Sequence, residues 1–250
     1  MTKKSIATAA VIGASSGIGA AIARELAGRG ASVAVLARRE DRLKDLVEEI
    51  QAKGGQASAL VHDVTNFDSV PTAFDEVVDR LGGLDLLVYA AGTMPELVEH
   101  EYDFAKDRFM VEVNLLGAMA WCNPASAYFE ARRRGTIVGI SSIAGERGRR
   151  QNPAYCTSKG AMTIYLESLR NRLSRYGVDV VTVKPGFVAT AMTEGRGDLL
   201  WMVEPSEIAR ATVALATSGG SPEVFLPRRW GAALAVIRNI PSPIFRHLDI

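Results

Sequence analysis

Apolar residues along the chain fall into two alternating patterns. Short unbroken runs at 6–12, 31–37, 57–61, 84–89, 136–140, 178–184 and 223–226 have the length and punctuation of buried strands. Between them, apolar positions recur every three or four residues, the spacing of a helix with one buried side. Ile18, Ile22 and Leu26 make one such stripe, and Leu43, Leu46, Val47 and Ile50 the next. Others run through 67–81, 103–131, 153–176 and 205–217. Gly54-Gly55 ends the second helix and Pro185-Gly186 stops the sixth strand. Regular alternation of strand and helix predicts an α/β fold, a doubly wound parallel sheet of about seven strands with helices on both faces. Ligands then belong at the strands' C-terminal ends. The chain, 1–250, reads as one domain, with a mobile connection at 187–204 and a C-terminal extension at 227–250.

Composition narrows the function. Charged residues make up 23% and hydrophobic ones 48%, and a formal net charge of +1 gives no general attraction to nucleic acid. Cys122 and Cys156 are too few for a disulfide framework or a metal cluster, and His62, His100 and His247 have no ligand spacing, so no metal is expected. The apolar run that follows Met1-Thr2-Lys3-Lys4 stops at Gly13, too short for a membrane span, so a cytoplasmic location is expected.

Three stretches carry chemistry. Gly13-Ala14-Ser15-Ser16-Gly17-Ile18-Gly19 lies directly between the first strand and the first helix. An ordinary tight turn could use the same glycines. Three of them at this spacing favour a dinucleotide site, because backbone can approach a phosphate closely and the helix N-terminus offers unpaired N–H groups. At the end of the second strand, where an acid would bond the ribose 2′-hydroxyl of NAD, stands Ala37, followed by Arg38 and Arg39. That pair suits a 2′-phosphate and favours NADP(H) over NAD(H); the competing reading makes both a solvated start to the next helix. Asp63 could meet an adenine edge or cap a helix. The third stretch runs from Ser142 to Lys159. Tyr155 and Lys159, four apart on a helix, share a face, so the ammonium favours the phenolate, and Ser142 can hold a reacting oxygen beside them. Asn114, in the middle of a helical run, requires either solvent or a polar partner inside. Arg132, Arg133 and Arg134 read as cations at a helix C-terminus.

Together, Gly13-x-x-x-Gly17-x-Gly19, Asp63, Ala90-Ala91-Gly92, Asn114, Ser142, Tyr155-x-x-x-Lys159 and Pro185-Gly186 resemble the short-chain dehydrogenase/reductase family, single-domain Rossmann-type enzymes of this length. The resemblance spans 6 to about 226. It implies that Tyr155 is the general acid/base, that Ser142 positions the substrate oxygen, that Lys159 also bonds the nicotinamide ribose, and that Asn114 supports a water-linked proton relay. Cofactor contacts are implied for Gly13, Ser15, Ser16, Gly17, Ile18, Gly19, Arg38, Arg39, Asp63, Val64, Ala90, Ala91, Gly92, Tyr155, Lys159, Pro185, Gly186, Val188 and Thr190. It further implies a homodimer or homotetramer through the helices at 103–131 and 153–176. Two residues depart from the pattern: Ile12 replaces the usual threonine before the first glycine, and Tyr89 the usual asparagine before Ala-Gly. Both read as sheet-supporting positions, outside the proton-transfer set.

The expected function is therefore NADP(H)-dependent hydride transfer between nicotinamide and a carbonyl or secondary alcohol. The alternatives are NAD-linked alcohol oxidation and a non-catalytic dinucleotide-binding regulator, although Asn114, Ser142, Tyr155 and Lys159 are all present. Phe187, Met192, Leu199, Leu200, Trp201 and Met202 suggest a bulky, mainly apolar substrate. Arg147, Arg149 and Arg150 read as solvated surface. In the tail, Trp230, Ala233, Leu234 and Ile237 at helical spacing, with Arg228, Arg229, Arg238 and Arg246, permit a membrane-surface or subunit contact.

Overall fold

The structure, a computed structural model, describes residues 4–96, 101–195, 199–219 and 223–248. His100, residues 196–198 of the connection and the last two residues of the C-terminal extension lie outside them. Seven strands form one sheet: β1 (Thr8–Ile12), β2 (Ser32–Ala37), β3 (Gln56–Val61), β4 (Leu86–Tyr89), β5 (Gly135–Ile140), β6 (Val178–Pro185) and β7 (Glu223–Leu226). Every pairing is parallel, in the order β3-β2-β1-β4-β5-β6-β7. Both β1 and β4 start later than the apolar runs suggest. Side chains add to the backbone bonds of their lead-ins: Asp85 Oδ2 accepts from the Ala7 and Thr8 N–H groups, and the Leu84 N–H reaches the Tyr128 hydroxyl.

Successive strand residues point to opposite faces, and each face has its own core. Ala9, Val11, Val33, Val35, Leu86 and Val88 pack against α1 (Gly17–Gly28), α2 (Glu40–Ala52) and α7 (Pro205–Ser218). Ala10, Ile12, Ala34, Leu36, Leu87 and Tyr89 pack against α3 (Val70–Leu81), α5 (Gly117–Arg132) and α6 (Pro153–Leu173). The helical run expected at 103–131 is not continuous. It divides into α4 (Phe104–Val111), one wide π turn at Glu112–Leu116, and α5. Asn114 sits in that turn, fully buried.

The order of the sheet reverses direction between β1 and β4, which leaves a crevice beyond their C-terminal ends. The connection at 187–204, expected to be mobile, is pinned where Val188 bridges Val203. Beyond β7, α8 (Trp230–Asn239) and α9 (Ser242–Phe245) fold back. Ile143, Trp230 and Leu234 form a small buried cluster with Phe187, Trp201 and Phe225 against it. The apolar stripe of the tail is thus turned inward.

Candidate functional site

A cavity of about 380 Å³ opens at the crevice. Its floor is the glycine turn after β1. Gly13 has φ +88°, and a Cβ there would lie 2.4 Å from the Ala91 nitrogen, so the turn presses against the end of β4 as only glycine allows. Ser16, which precedes α1 in extended conformation, makes no side-chain hydrogen bond to the helix's first turn. A helix N-terminus with no side-chain cap, beside a glycine-rich turn, is a cradle suited to a phosphate group.

All but two of the predicted site residues line this cavity: Gly13, Ser15, Ser16, Gly17, Ile18, Gly19, Arg38, Arg39, Val64, Ala90, Ala91, Gly92, Ser142, Tyr155, Lys159, Pro185, Gly186, Val188 and Thr190. The two arginines divide their tasks. The Arg39 guanidinium donates to Ser15 Oγ and Ser16 Oγ, each at 2.8 Å, which puts a cation at the glycine turn. Arg38 faces Asp63 at 3.8 Å and lies over the Phe109 ring. Asp63, one of the two residues outside the lining, accepts from the Thr65 N–H and hydroxyl. It therefore builds the turn after β3 and caps no helix.

Asn114, the other, stands behind the wall. A methyl added at Gly92 would sit 3.4 Å from Lys159 Nζ and 3.6 Å from Asn114 Oδ1, so the three residues share one corner. Asn114 Oδ1 accepts from the Thr93 N–H at 2.7 Å, and its Nδ2 donates to the Thr93 carbonyl and to Ser158 Oγ. Ser158 Oγ in turn donates to the Tyr155 carbonyl at 2.9 Å. The polar partner that a mid-helix asparagine requires is therefore inside.

Ser142 follows β5 by two residues and Tyr155 lies in the first turn of α6, so each meets the cavity from its own side. Lys159 Nζ donates to the Ile140 carbonyl at 2.9 Å and lies 6.0 Å from the centre of the Tyr155 ring. Burial pulls the Lys159 ammonium down to about 8. Ser142 Oγ accepts from the Ala144 N–H, which leaves its own proton to donate. A hydroxyl, a phenol and a cation on one wall can bind an oxygen and exchange a proton with it.

Sequence reasoning missed the residues that hold this wall in register. Ser141 Oγ donates to the Lys159 carbonyl and meets Thr163 Oγ1, while Ser158 joins Asn114 to α6. Ser158 and Thr163 stand at helical spacing from Tyr155 and Lys159, and Ser141 beside Ser142; nothing else in the sequence signalled them. Arg147, expected in solvent, donates to the Ile237 carbonyl at the end of α8 and stacks on Phe245. Of the proposed apolar wall, Met192 lines the cavity, Phe187 and Trp201 pack on Trp230, and Leu200 and Met202 are exposed. A larger cavity of about 570 Å³ lies between α1 and α7 and shares only Gly17 and Thr190 with this one. The arginines that line it are engaged, Arg24 with Glu49 and Arg29 with Glu25, and no catalytic set converges there. Among the described residues, no group of three or more His, Cys, Asp or Glu is placed to hold a metal ion. None of their helices is long and apolar enough to cross a membrane.

The sequence matches the short chain dehydrogenase family over residues 7–199. It is 32% identical to an uncharacterized oxidoreductase of Myxococcus xanthus, across 98% of this chain and 97% of that protein. A cis-4-hydroxycyclohexanecarboxylate dehydrogenase of Sinomonas cyclohexanicum is 33% identical, across 91% of this chain and 94% of its own. Among solved structures, an actinorhodin polyketide ketoreductase with NADPH superposes with a TM-score of 0.80 at 27% identity, covering 90% of this chain and 97% of that one. A short-chain type dehydrogenase/reductase from Mycobacterium ulcerans gives 0.82 at 26%, covering 90% and 89%. Matched over most of its length, and more than 30% identical to relatives along nearly all of it, the chain belongs to the short-chain dehydrogenase/reductase family of oxidoreductases.

Proposed function

We propose that this oxidoreductase is NADP(H)-dependent and interconverts a carbonyl and a secondary alcohol, with Tyr155 as general acid/base. The observation that carries the reading is the wall on which Tyr155 and Lys159 face the same cavity as the glycine turn. The residues present fit a dinucleotide. Gly13, Gly17 and the start of α1 would hold its phosphates, Arg39 with Ser15 a 2′-phosphate, and Lys159 the ribose beside the reacting ring. When bound, the nicotinamide supplies or receives the hydride. The NADPH of the structurally similar ketoreductase supports the preference for NADP(H).

The chain's own residues then handle the oxygen. In reduction, negative charge gathers on the substrate oxygen; Ser142 donates a hydrogen bond to it, and Tyr155 delivers the phenolic proton. The Lys159 ammonium stabilises the phenolate left behind. Asn114, bonded to Thr93 and Ser158, keeps the path by which that proton is replaced in place.

The aromatic group of Phe187, Trp201 and Trp230 beside the cavity supports a bulky, mainly apolar substrate. Among the relatives, one is named for a cyclohexane ring and one for a polyketide. Incubation with panels of cyclic ketones and alcohols, following NADPH and NADH absorbance side by side, tests this. The expected result is faster turnover with NADPH and a loss of about 10²- to 10⁴-fold in Tyr155→Phe with NADPH binding retained. Near-normal turnover by Tyr155→Phe sinks the assignment.

A further inference from the structure

Tyr89 departs from the family pattern, and its hydroxyl does something that a strand residue's ordinary packing does not require. It crosses the core from the end of β4 and donates to the Val113 carbonyl at 2.6 Å. That carbonyl belongs to the wide turn at Glu112–Leu116, where the Gly117 N–H reaches back to the Glu112 carbonyl. In a regular helix Gly117 would bond Val113 instead. A π turn inserts one residue and skips one carbonyl, and the Tyr89 hydroxyl fills the skipped one. Burial pushes the Tyr89 phenol well above its ordinary range, so it keeps the proton it donates.

The fit is mutual. A Cβ at Gly117 would lie 2.3 Å from Tyr89 Oη and 3.1 Å from the Val64 carbonyl, so the hydroxyl occupies space that any larger residue would take. The residue next to Val113 is Asn114, whose amide reaches Thr93 and Ser158 from this turn. Were the segment to wind as a regular helix, Asn114 would rotate by part of a turn and lose both partners.

We propose that Tyr89 is a positioning residue for Asn114, holding open the turn that aims the Asn114 amide at Thr93 and Ser158. The inference rests on the role assigned to Asn114 above. It revises the sequence expectation that position 89 serves the sheet alone.

Tyr89→Phe removes one hydroxyl and keeps the ring, so the core stays filled. Two measurements separate the positioning claim from the enzymatic one. The first is exchange of the Asn114 side-chain amide protons, followed by NMR on protein labelled at asparagine; the chain has six asparagines, and Asn114→Ala identifies the signal. We expect the protected Asn114 signal to exchange at least about tenfold faster in Tyr89→Phe, the scale of one buried hydrogen bond. Unchanged exchange overturns the proposal. The second is turnover of whichever cyclic ketone the unaltered protein reduces. Here kcat should fall about tenfold in Tyr89→Phe, with KM for NADPH unchanged, and fall no further when Tyr89→Phe is added to Asn114→Ala. An equal loss in both backgrounds, or none in either, also overturns it. If the unaltered protein reduces no ketone, the proposed reaction fails and the exchange result alone decides the role of Tyr89.

Discussion

Lys159 carries its charge at 4% exposure, held by the Ile140 carbonyl. Its buried ammonium, pulled down from 10.5 to about 8, implies a stability cost. Between these values the unfolded chain binds the proton more strongly than the folded one, so stability rises with pH across that window. It is lost as pH falls through about 8. Burying the charge costs on the order of 3 kcal/mol, against about 1–2 kcal/mol for leaving the Ile140 carbonyl without a donor. Lys159→Met should therefore make the cofactor-free protein more stable than the unaltered chain at pH 7, and the gain should vanish near pH 10. Denaturant melts at the two pH values measure this, and a variant less stable at pH 7 contradicts it. The same substitution removes the cation that the proposed reaction needs, which is the expected trade of stability for function.

Among the elements, the short turn Ile143–Glu146 after Ser142 is tied to both the sheet and the tail. Buried Glu146 accepts from Lys184 on β6 and from Arg238 on α8, while Lys184 also pairs with Glu223 on β7. One carboxylate thus joins the Ser142 turn, the edge of the sheet and the tail. Removing buried Glu146 leaves the buried Lys184 cation with Glu223 alone, whereas removing exposed Arg238 lets water take its place. Glu146→Ala should cost about 3 kcal/mol, and Arg238→Ala, whose side chain is about half exposed, less than about 1 kcal/mol. Urea unfolding of the two variants compares them directly; equal losses would mean that the arginine, not Lys184, anchors the turn.

On the scale of the whole molecule, the exposed apolar side chains set the expectation. Tyr102 and Phe104, leading into α4, and Ile164 on α6 are largely exposed, and α4 packs on α6. Exposed large apolar groups at this pair of helices are what contact with a second copy would cover, as expected for the homodimer or homotetramer that the family resemblance implies. Sedimentation at micromolar concentration should show more than one chain per particle, and Phe104→Asp combined with Ile164→Asp should shift it toward a monomer. A single sedimenting monomer of the unaltered protein removes the expectation.

The sheet, its helices and the glycine turn were legible in the chain because they rest on periodicity and on residue types with few alternatives. A run such as 84–89 has to be buried, and Gly13 with φ +88° tolerates nothing else. Tyr155 and Lys159 were legible for the same reason, since four residues of helix place them on one face. What no local pattern could announce was any arrangement that joins residues distant along the chain. The split of the 103–131 run depends on Tyr89 reaching Val113, 24 positions away. The division of Arg38 from Arg39 depends on Asp63 and on Ser15, and the link from the tail to the Ser142 turn on Glu146 lying under Arg238. Hydrogen bonds and ion pairs of this kind have no period. They exist only once the two cores have set the strands and helices at their distances, so the tertiary structure alone decided them.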